Sequence, residues 1–139
     1  MQSNSDKEEI KSIIEKIFKA FENHSPGGIE DHVHPEVTIW DVFTPQLIRG
    51  QKERDKFHVD DQAQMQARGQ LTLSIEDPLV DVWNDIAIAR YYLNFQYAPP
   101  NATEGRVRIT DVFRRSDTGW LIAHHHEGMV PEGIPPIAD

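Results

Sequence analysis

Two runs of β-branched and aromatic residues flank a short polar cluster near the end of the chain, within Arg106–Gly128. The cluster, Ser116–Gly119, has the residue types of a tight loop, and its glycine can take the positive φ that such a loop needs. The pattern predicts a β-hairpin. This hairpin is the most clearly defined element of the sequence, and the rest of the chain is interpreted around it.

One face of the first hairpin strand is apolar except for Asp111, because side chains of a β-strand point alternately to two faces. If the polar cluster forms the loop, Arg115 lies opposite Trp120. In the same register Asp111 lies beside His124. The apolar face then also carries His126.

A register shifted by one residue would instead bring His125 and Glu127 to the apolar face. The first register is favoured because it aligns the more apolar sets of side chains. An inward carboxylate and inward imidazoles cost free energy unless they are paired or functional. The hairpin therefore predicts a site built on Asp111, His124 and His126, with His125 facing outward.

The chain of 139 residues carries a formal charge of −9, with 14 basic and 23 acidic residues. Such a surface repels nucleic acids and anionic membranes, so neither is expected as a partner. No run is apolar and long enough to cross a bilayer and no leader pattern is visible, so we expect a cytoplasmic protein. The absence of cysteine excludes disulfides, thiolate metal sites and a cysteine nucleophile.

A sequence of 139 residues with no internal repeat or linker predicts a single domain over residues 1–139, in which residues 130–139 form a proline-rich tail. Helices are predicted from Ser5 to near Asn23, over 28–33 and over 51–68. Strands are predicted over 37–43, over 71–83 with a break at Pro78, and over 86–97, before the hairpin. Helices followed by antiparallel strands are typical of an α+β fold, with the first helix lying across a strongly bent sheet.

The runs ITDVFRR and GWLIAHHHEG resemble the last two strands of SnoaL-like proteins in the nuclear transport factor 2-like superfamily. Ketosteroid isomerase and the association domain of calcium/calmodulin-dependent kinase II belong to the same superfamily. The resemblance extends through the order of elements over nearly the whole chain. It implies a cone-shaped α+β barrel, in which a bent, mixed but mainly antiparallel sheet wraps around the N-terminal helices and encloses a ligand cavity.

Two positions match ketosteroid isomerase residue by residue. Asp41 in VTIWDVF matches the aspartate that removes a proton, and Asp111 in ITDVF matches the aspartate that stays protonated and donates to the developing oxyanion. Ile17 stands where that enzyme has its oxyanion-donating tyrosine, so a steroid isomerase of the standard kind is not expected. The resemblance implies a cofactor-independent isomerase, cyclase or hydrolase with Asp41, Asp111 and His126 as catalytic residues.

The expected ligand is a small, mostly apolar, carbonyl-containing molecule in the cone cavity. Apolar neighbours would raise the pKa of Asp41 towards the range that a general base needs. Either Tyr91 or Tyr97 would supply the missing phenol. The residues expected to contact the ligand are Phe43, Phe57, Tyr91, Tyr97, Trp120 and His124.

Structural interpretations of the same residues stay open. Asp41 could bond a loop at the cavity mouth, and Asp111 could form an ion pair with His124. Two imidazoles spaced i, i+2 could share a metal ion, but nothing nearby completes a strong ligand signature, so no metal is predicted. Glycine-rich phosphate loops are absent from the sequence, and no cofactor is predicted.

The alternative to an enzyme is a non-catalytic ligand-binding or oligomerisation module resembling the kinase association domain. That domain shares the ending formed here by Gly119, Trp120, His124 and His126. An arginine follows its second histidine, whereas Glu127 stands here, so an anion held in that manner is not expected. In either case the resemblance implies a homodimer that pairs through one face of the sheet.

Overall fold

Three helices precede most of the sheet in the computed structural model, which describes residues 4–23, 27–65 and 69–138. They are α1 Asn4–Glu22, α2 Gly27–Glu30 and α3 Gly50–Met65. The first helix is confirmed close to its predicted bounds, because apolar residues recur at helical spacing along one face. Helices α2 and α3 each begin one residue before the predicted segment. Helix α2 ends at Glu30, because β1 already begins at Val33, and the predicted end of α3 at residue 68 lies outside the described residues.

Seven strands form a single curved, mixed sheet. They are β1 Val33–Trp40, β2 Ile48–Arg49, β3 Leu71–Ile75, β4 Leu79–Trp83, β5 Ile86–Tyr97, β6 Thr103–Ser116 and β7 Gly119–Met129. The strand order is β2-β1-β7-β6-β5-β3, with β4 paired to β5 beside β3. The α+β fold is confirmed, but the expectation of a closed barrel is wrong, because the first and last strands of this order are not paired.

The hairpin of β6 and β7 has the predicted loop, and Gly119 takes a φ of 120° there. Arg115 lies opposite Trp120 and Phe113 opposite Ile122, as predicted. Val112, however, lies opposite His124, so one residue of β7, Ala123, is unpaired. This β-bulge reverses which side chains of β7 face inward beyond it.

The core lies between α1 and the concave face of the sheet. Ile10, Ile13 and Ile14 of α1 are buried in one cluster with side chains from the strands. Alternate residues of the long strand β5, from Ala87 to Leu93, complete this inner face. The helix therefore covers one part of the concave face and leaves room for a cavity beside it.

The polypeptide changes direction between β3 and β4, where Asp77 and Pro78 interrupt the predicted single strand. Both strands still pair with β5, since Ile75 lies opposite Leu93 and Leu79 lies opposite Arg90. The break is expected because proline has no N–H to donate to the neighbouring strand. Across the described residues, no helix is long and apolar enough to cross a membrane.

Candidate functional site

A cavity of about 710 Å³ lies between the helices and the concave face of the sheet. Its walls are largely apolar and come from α1, β1, α3, β3 and β5. They include Ile17, Phe18, Val37, Ile39, Leu73 and Phe95. Three ionisable side chains that are linked to one another, Asp41, His125 and Glu127, also line this cavity. An apolar chamber with a few polar groups on one side is the usual form of a small-molecule site.

Asp41 lies just after β1, in the turn that follows Trp40, rather than within the strand as predicted. Its Oδ2 accepts hydrogen bonds from the backbone N–H of Phe43 and from the hydroxyl of Thr44, both at 3.0 Å. Burial, and then the negative charge of Glu127, raise the pKa of Asp41 to about 6. The turn thus holds a carboxyl group that changes protonation state near neutral pH.

Glu127 connects Asp41 to the interior of the sheet. Its Oε1 accepts a hydrogen bond from the Val42 N–H at 3.1 Å, and its Oε2 lies 2.8 Å from Nε2 of His125. Its negative charge also acts on the Asp41 carboxyl group and raises the pKa of that group. Burial alone would raise the pKa of Glu127, but the hydrogen bond and charge of His125 outweigh burial and lower it. Of the two carboxyl groups, Asp41 is therefore the one that is protonated first as the pH falls.

His125 lies between two carboxylates. Its Nδ1 is 2.5 Å from Oδ1 of Asp111, and its Nε2 is 2.8 Å from Glu127. Burial favours the neutral imidazole, but the charge of Asp111 and the hydrogen bonds to both carboxylates raise the pKa of His125 well above 6.5. Both ring nitrogens then carry protons and donate, so His125 is an imidazolium ion.

Asp111 on β6 lies behind His125, with a relative exposure of 1%. Its second oxygen, Oδ2, accepts a hydrogen bond from the Tyr91 hydroxyl at 2.6 Å. Burial and the charge of Asp111 raise the pKa of the Tyr91 phenol well above 10, so this hydroxyl stays protonated and donates. A continuous hydrogen-bonded chain therefore runs from Glu127 through His125 and Asp111 to Tyr91, and the charge at its Glu127 end acts on Asp41.

The register prediction for the histidines is wrong, and the bulge at Ala123 is the physical reason. Beyond the bulge, His125 lies opposite Asp111, while His124 and His126 lie opposite Val112 and Thr110. Nδ1 of His124 is hydrogen-bonded to the Thr38 hydroxyl at 2.7 Å, away from the cavity. His126 is exposed on the same outer face. Neither of these two histidines lines the cavity.

The structure separates the other predicted site residues into two groups. Phe43, Phe57 and Tyr97 line the cavity, as expected for ligand-contacting side chains. Trp120 does not line it: this side chain is buried in the core, and its Nε1–H donates to Asp6 at 3.3 Å. Tyr91 does not line it either, because it lies behind the wall and bonds to Asp111.

Sequence reasoning missed Arg54, a cavity-lining residue of α3 with a relative exposure of 2%. Its Nη2 donates to Glu30 of α2 at 2.6 Å. Helix α3 carries no continuous apolar stripe, so no periodicity indicated which of its charged residues turn inward. Within residues 4–23, 27–65 and 69–138, no group of three or more histidine, aspartate or glutamate side chains is arranged to hold a metal ion.

Comparison with known proteins agrees with this architecture. A nuclear transport factor 2-like protein of unknown function from Pseudomonas putida KT2440 has 17% sequence identity and a TM-score of 0.80, covering 97% of this chain and all of its own. A candidate dehydratase of the same family from Streptomyces avermitilis has 19% identity and a TM-score of 0.79, with 93% and 99% covered.

The hub of the calcium/calmodulin-dependent kinase II of S. rosetta is a further structural neighbour, with 21% identity and a TM-score of 0.71, covering 87% of this chain and 94% of its own. No curated protein sequence matches the chain. The SnoaL-like domain family matches residues 10–131, which include all seven strands, α2, α3 and α1 from residue 10 onward. This chain therefore belongs to the SnoaL-like domain family, and it shares the fold of nuclear transport factor 2-like proteins.

Proposed function

We propose that this protein is a cofactor-independent acid/base enzyme that acts on a small, largely apolar carbonyl compound bound in the cavity. The observation that carries the proposal is Asp41, a carboxyl group at an apolar cavity whose pKa of about 6 lies near physiological pH. A general acid/base works best when its pKa is near the pH at which it operates. Few ordinary surface aspartates have this property.

In the proposed reaction, the ionised Asp41 takes a proton from the carbon next to the substrate carbonyl, and the electron pair moves onto the carbonyl oxygen. The protonated Asp41 then returns the proton to another carbon, as in an isomerisation, or to a leaving hydroxyl group, as in a dehydration. Glu127 tunes the pKa of Asp41. His125, Asp111 and Tyr91 are positioning residues that hold Glu127 in place.

This assignment revises the roles implied by the resemblance to ketosteroid isomerase. Asp41 keeps the role of base. Asp111 is not available to donate to a substrate oxygen, because both of its oxygens accept hydrogen bonds from His125 and Tyr91. The similarity to a candidate dehydratase is compatible with the proposal, because dehydration also begins by removing a proton.

The pH dependence of proton transfer tests the proposal. The substrates are a panel of cyclic and aromatic ketones in heavy water, and the measured quantity is the rate of deuterium uptake at the carbon next to the carbonyl. We expect this rate to increase with pH and to level off above a midpoint of about 6, because only the ionised Asp41 accepts a proton. Nuclear magnetic resonance of the carboxyl carbons should give the same pKa for Asp41. A protein in which Asp41 titrates near 3.8, without uptake above the buffer rate, would contradict the proposal.

A non-catalytic binding module remains the second candidate, because one observation favours it. Both ring nitrogens of His125 and both oxygens of Asp111 are engaged within the protein, as in a purely structural network. Under this alternative, ketones bind in the cavity and shift nearby resonances, but no deuterium uptake depends on Asp41. The experiment above therefore separates the two candidates.

We further propose a homodimer that pairs through the sheet face opposite the cavity. Trp40, Leu79 and Trp83 are 41%, 64% and 51% exposed there, since the residues next to them in sequence point inward. We expect light scattering at micromolar concentration to give twice the chain mass of 16.0 kDa. Trp40→Glu should shift the mass towards the monomer, whereas Ile137→Glu in the tail should not. A monomer mass for the unmodified protein would refute the dimer.

A further inference from the structure

Arg54 is a buried cation with unused hydrogen-bonding capacity. The guanidinium group carries five N–H donors. Nη2 donates to Glu30, but Nε and Nη1 are buried and have no hydrogen-bond partner among the described residues. Buried polar groups in folded proteins are almost always paired, so an arginine with two unpaired nitrogens at a cavity wall indicates that its partner comes from outside the protein.

The electrostatics at Arg54 favour an anionic partner. The side chain of Glu30 is 37% exposed, so water screens its charge, whereas the side chain of Arg54 is only 3% exposed. The pKa of the nearby His58 is affected by this charge. Burial and then the positive charge of Arg54 lower that pKa, although the carboxylates Glu30, Asp61 and Asp55 act in the opposite direction. The positive charge of Arg54 therefore acts on its surroundings, in a chain whose overall charge is −9.

We propose that the cavity binds an amphipathic carboxylate, whose carboxylate group accepts hydrogen bonds from Nε and Nη1 of Arg54 and whose apolar body fills the cavity. Arginine suits this role because its planar donor array matches a carboxylate, and because it stays charged when buried. A cavity of about 710 Å³ is within the range that holds such a molecule. This ligand would occupy the same cavity as the substrate of the proposed function. The inference therefore rests on that function and narrows its substrate class to apolar oxo acids.

Decanoate and its neutral analogue decanamide form the test pair, because they differ only in the group that Arg54 would bind. By isothermal titration calorimetry at pH 7, we expect the protein to bind decanoate about tenfold or more tightly than decanamide, because hydrogen bonds to charged groups are strong. Decanoate should also shift the ¹⁵N resonance of the Arg54 Nε–H. Equal binding of the two compounds, or no binding of decanoate at millimolar concentration, would overturn the inference.

Two variants test whether Arg54 causes the preference for decanoate over decanamide. Arg54→Gln should abolish the preference for decanoate, whereas Arg49→Gln, which alters an exposed arginine paired with Glu53 at the same cavity, should retain it. Should Arg54→Gln fail to fold, Glu30→Gln gives the answer instead. It frees Nη2 of Arg54 and should bind decanoate more tightly, and unchanged or weaker binding would count against the inference. Decanoate binding requires no proton transfer and deuterium uptake by neutral ketones requires no contact with Arg54, so a failure of this inference is distinguishable from a failure of the proposed acid/base function.

Discussion

Replacing Asp41 by asparagine is expected to lower the rate of deuterium uptake by about 10²–10⁴-fold, the range that a positioned general base contributes. Asparagine has the same shape and can still accept the hydrogen bonds from Phe43 and Thr44, so the turn should be retained. Only the ability to take a proton is removed. The loss should therefore appear in the turnover rate, with ligand affinity nearly unchanged.

Asp60→Asn is the matched control, since Asp60 is an exposed carboxylate that also lines the cavity. It should leave the uptake rate unaltered. If Asp41→Asn retained the rate of the unmodified protein, Asp41 would not be the base, and the binding-module interpretation would take its place.

Asp41→Asn should also change how stability depends on pH. The pKa of the folded-state Asp41 is raised from 3.8 to about 6, so the folded protein binds this proton more tightly than the unfolded chain does. The stabilisation from that proton is present below pH 3.8 and is lost as the pH rises through about 6. Asparagine does not titrate, so we expect the variant not to lose stability in this way. Its stability relative to the unmodified protein should therefore increase as the pH rises from 3.8 to about 6.

The second large effect concerns the buried pair of His125 and Asp111. His125→Asn should destabilise the protein by about 3–5 kcal/mol at pH 6, because it leaves the buried Asp111 without its cationic partner. Asparagine places a neutral N–H near the position of Nδ1, so the loss of stability reflects the missing positive charge more than a missing hydrogen bond. Urea unfolding followed by circular dichroism would measure the change in the free energy of unfolding.

The pair of His125 and Asp111 also predicts how the free energy of unfolding depends on pH. The pKa of folded-state His125 lies well above 6.5, so its stabilisation is fully present below about pH 6.5 and is lost as the pH rises towards the raised value. The free energy of unfolding of the unmodified protein should fall by up to about 1.4 kcal/mol per pH unit in that window from this group. His125→Asn should lack this slope, whereas His126→Asn on the outer face should keep it. An unchanged slope in His125→Asn would contradict the assignment of an imidazolium.

The fold was largely predictable from sequence because its strongest signals are local. The helical spacing in α1, the alternation in β5 and the loop at Gly119 each depend on neighbouring residues only. The openness of the sheet could not be predicted in this way. It depends on which strands pair at the edges, and no local pattern in the sequence encodes that choice.

The site was only partly predictable, for reasons that differ between residues. Asp41 was found because a carboxylate next to an apolar strand is conspicuous. His125 and Glu127 appeared only in the disfavoured register, because hydropathy aligns β6 and β7 correctly up to Phe113 and carries no sign of the unpaired residue beyond it. Arg54 was missed because it is buried from a helix with no apolar stripe.

The unpaired Ala123 divides β7 into two independent halves. Before it, Trp120 and Ile122 are fixed by the core, and after it the inward positions carry the ionised side chains. If Ala123 were paired and the bulge lost, strict alternation along the same sequence would exchange His125 and Glu127 for His124 and His126 at the wall. Loss of one bulge would thus convert a charged wall into one lined by two histidines while the hydrophobic half of the strand stays unchanged, a short evolutionary route to new chemistry on an old scaffold.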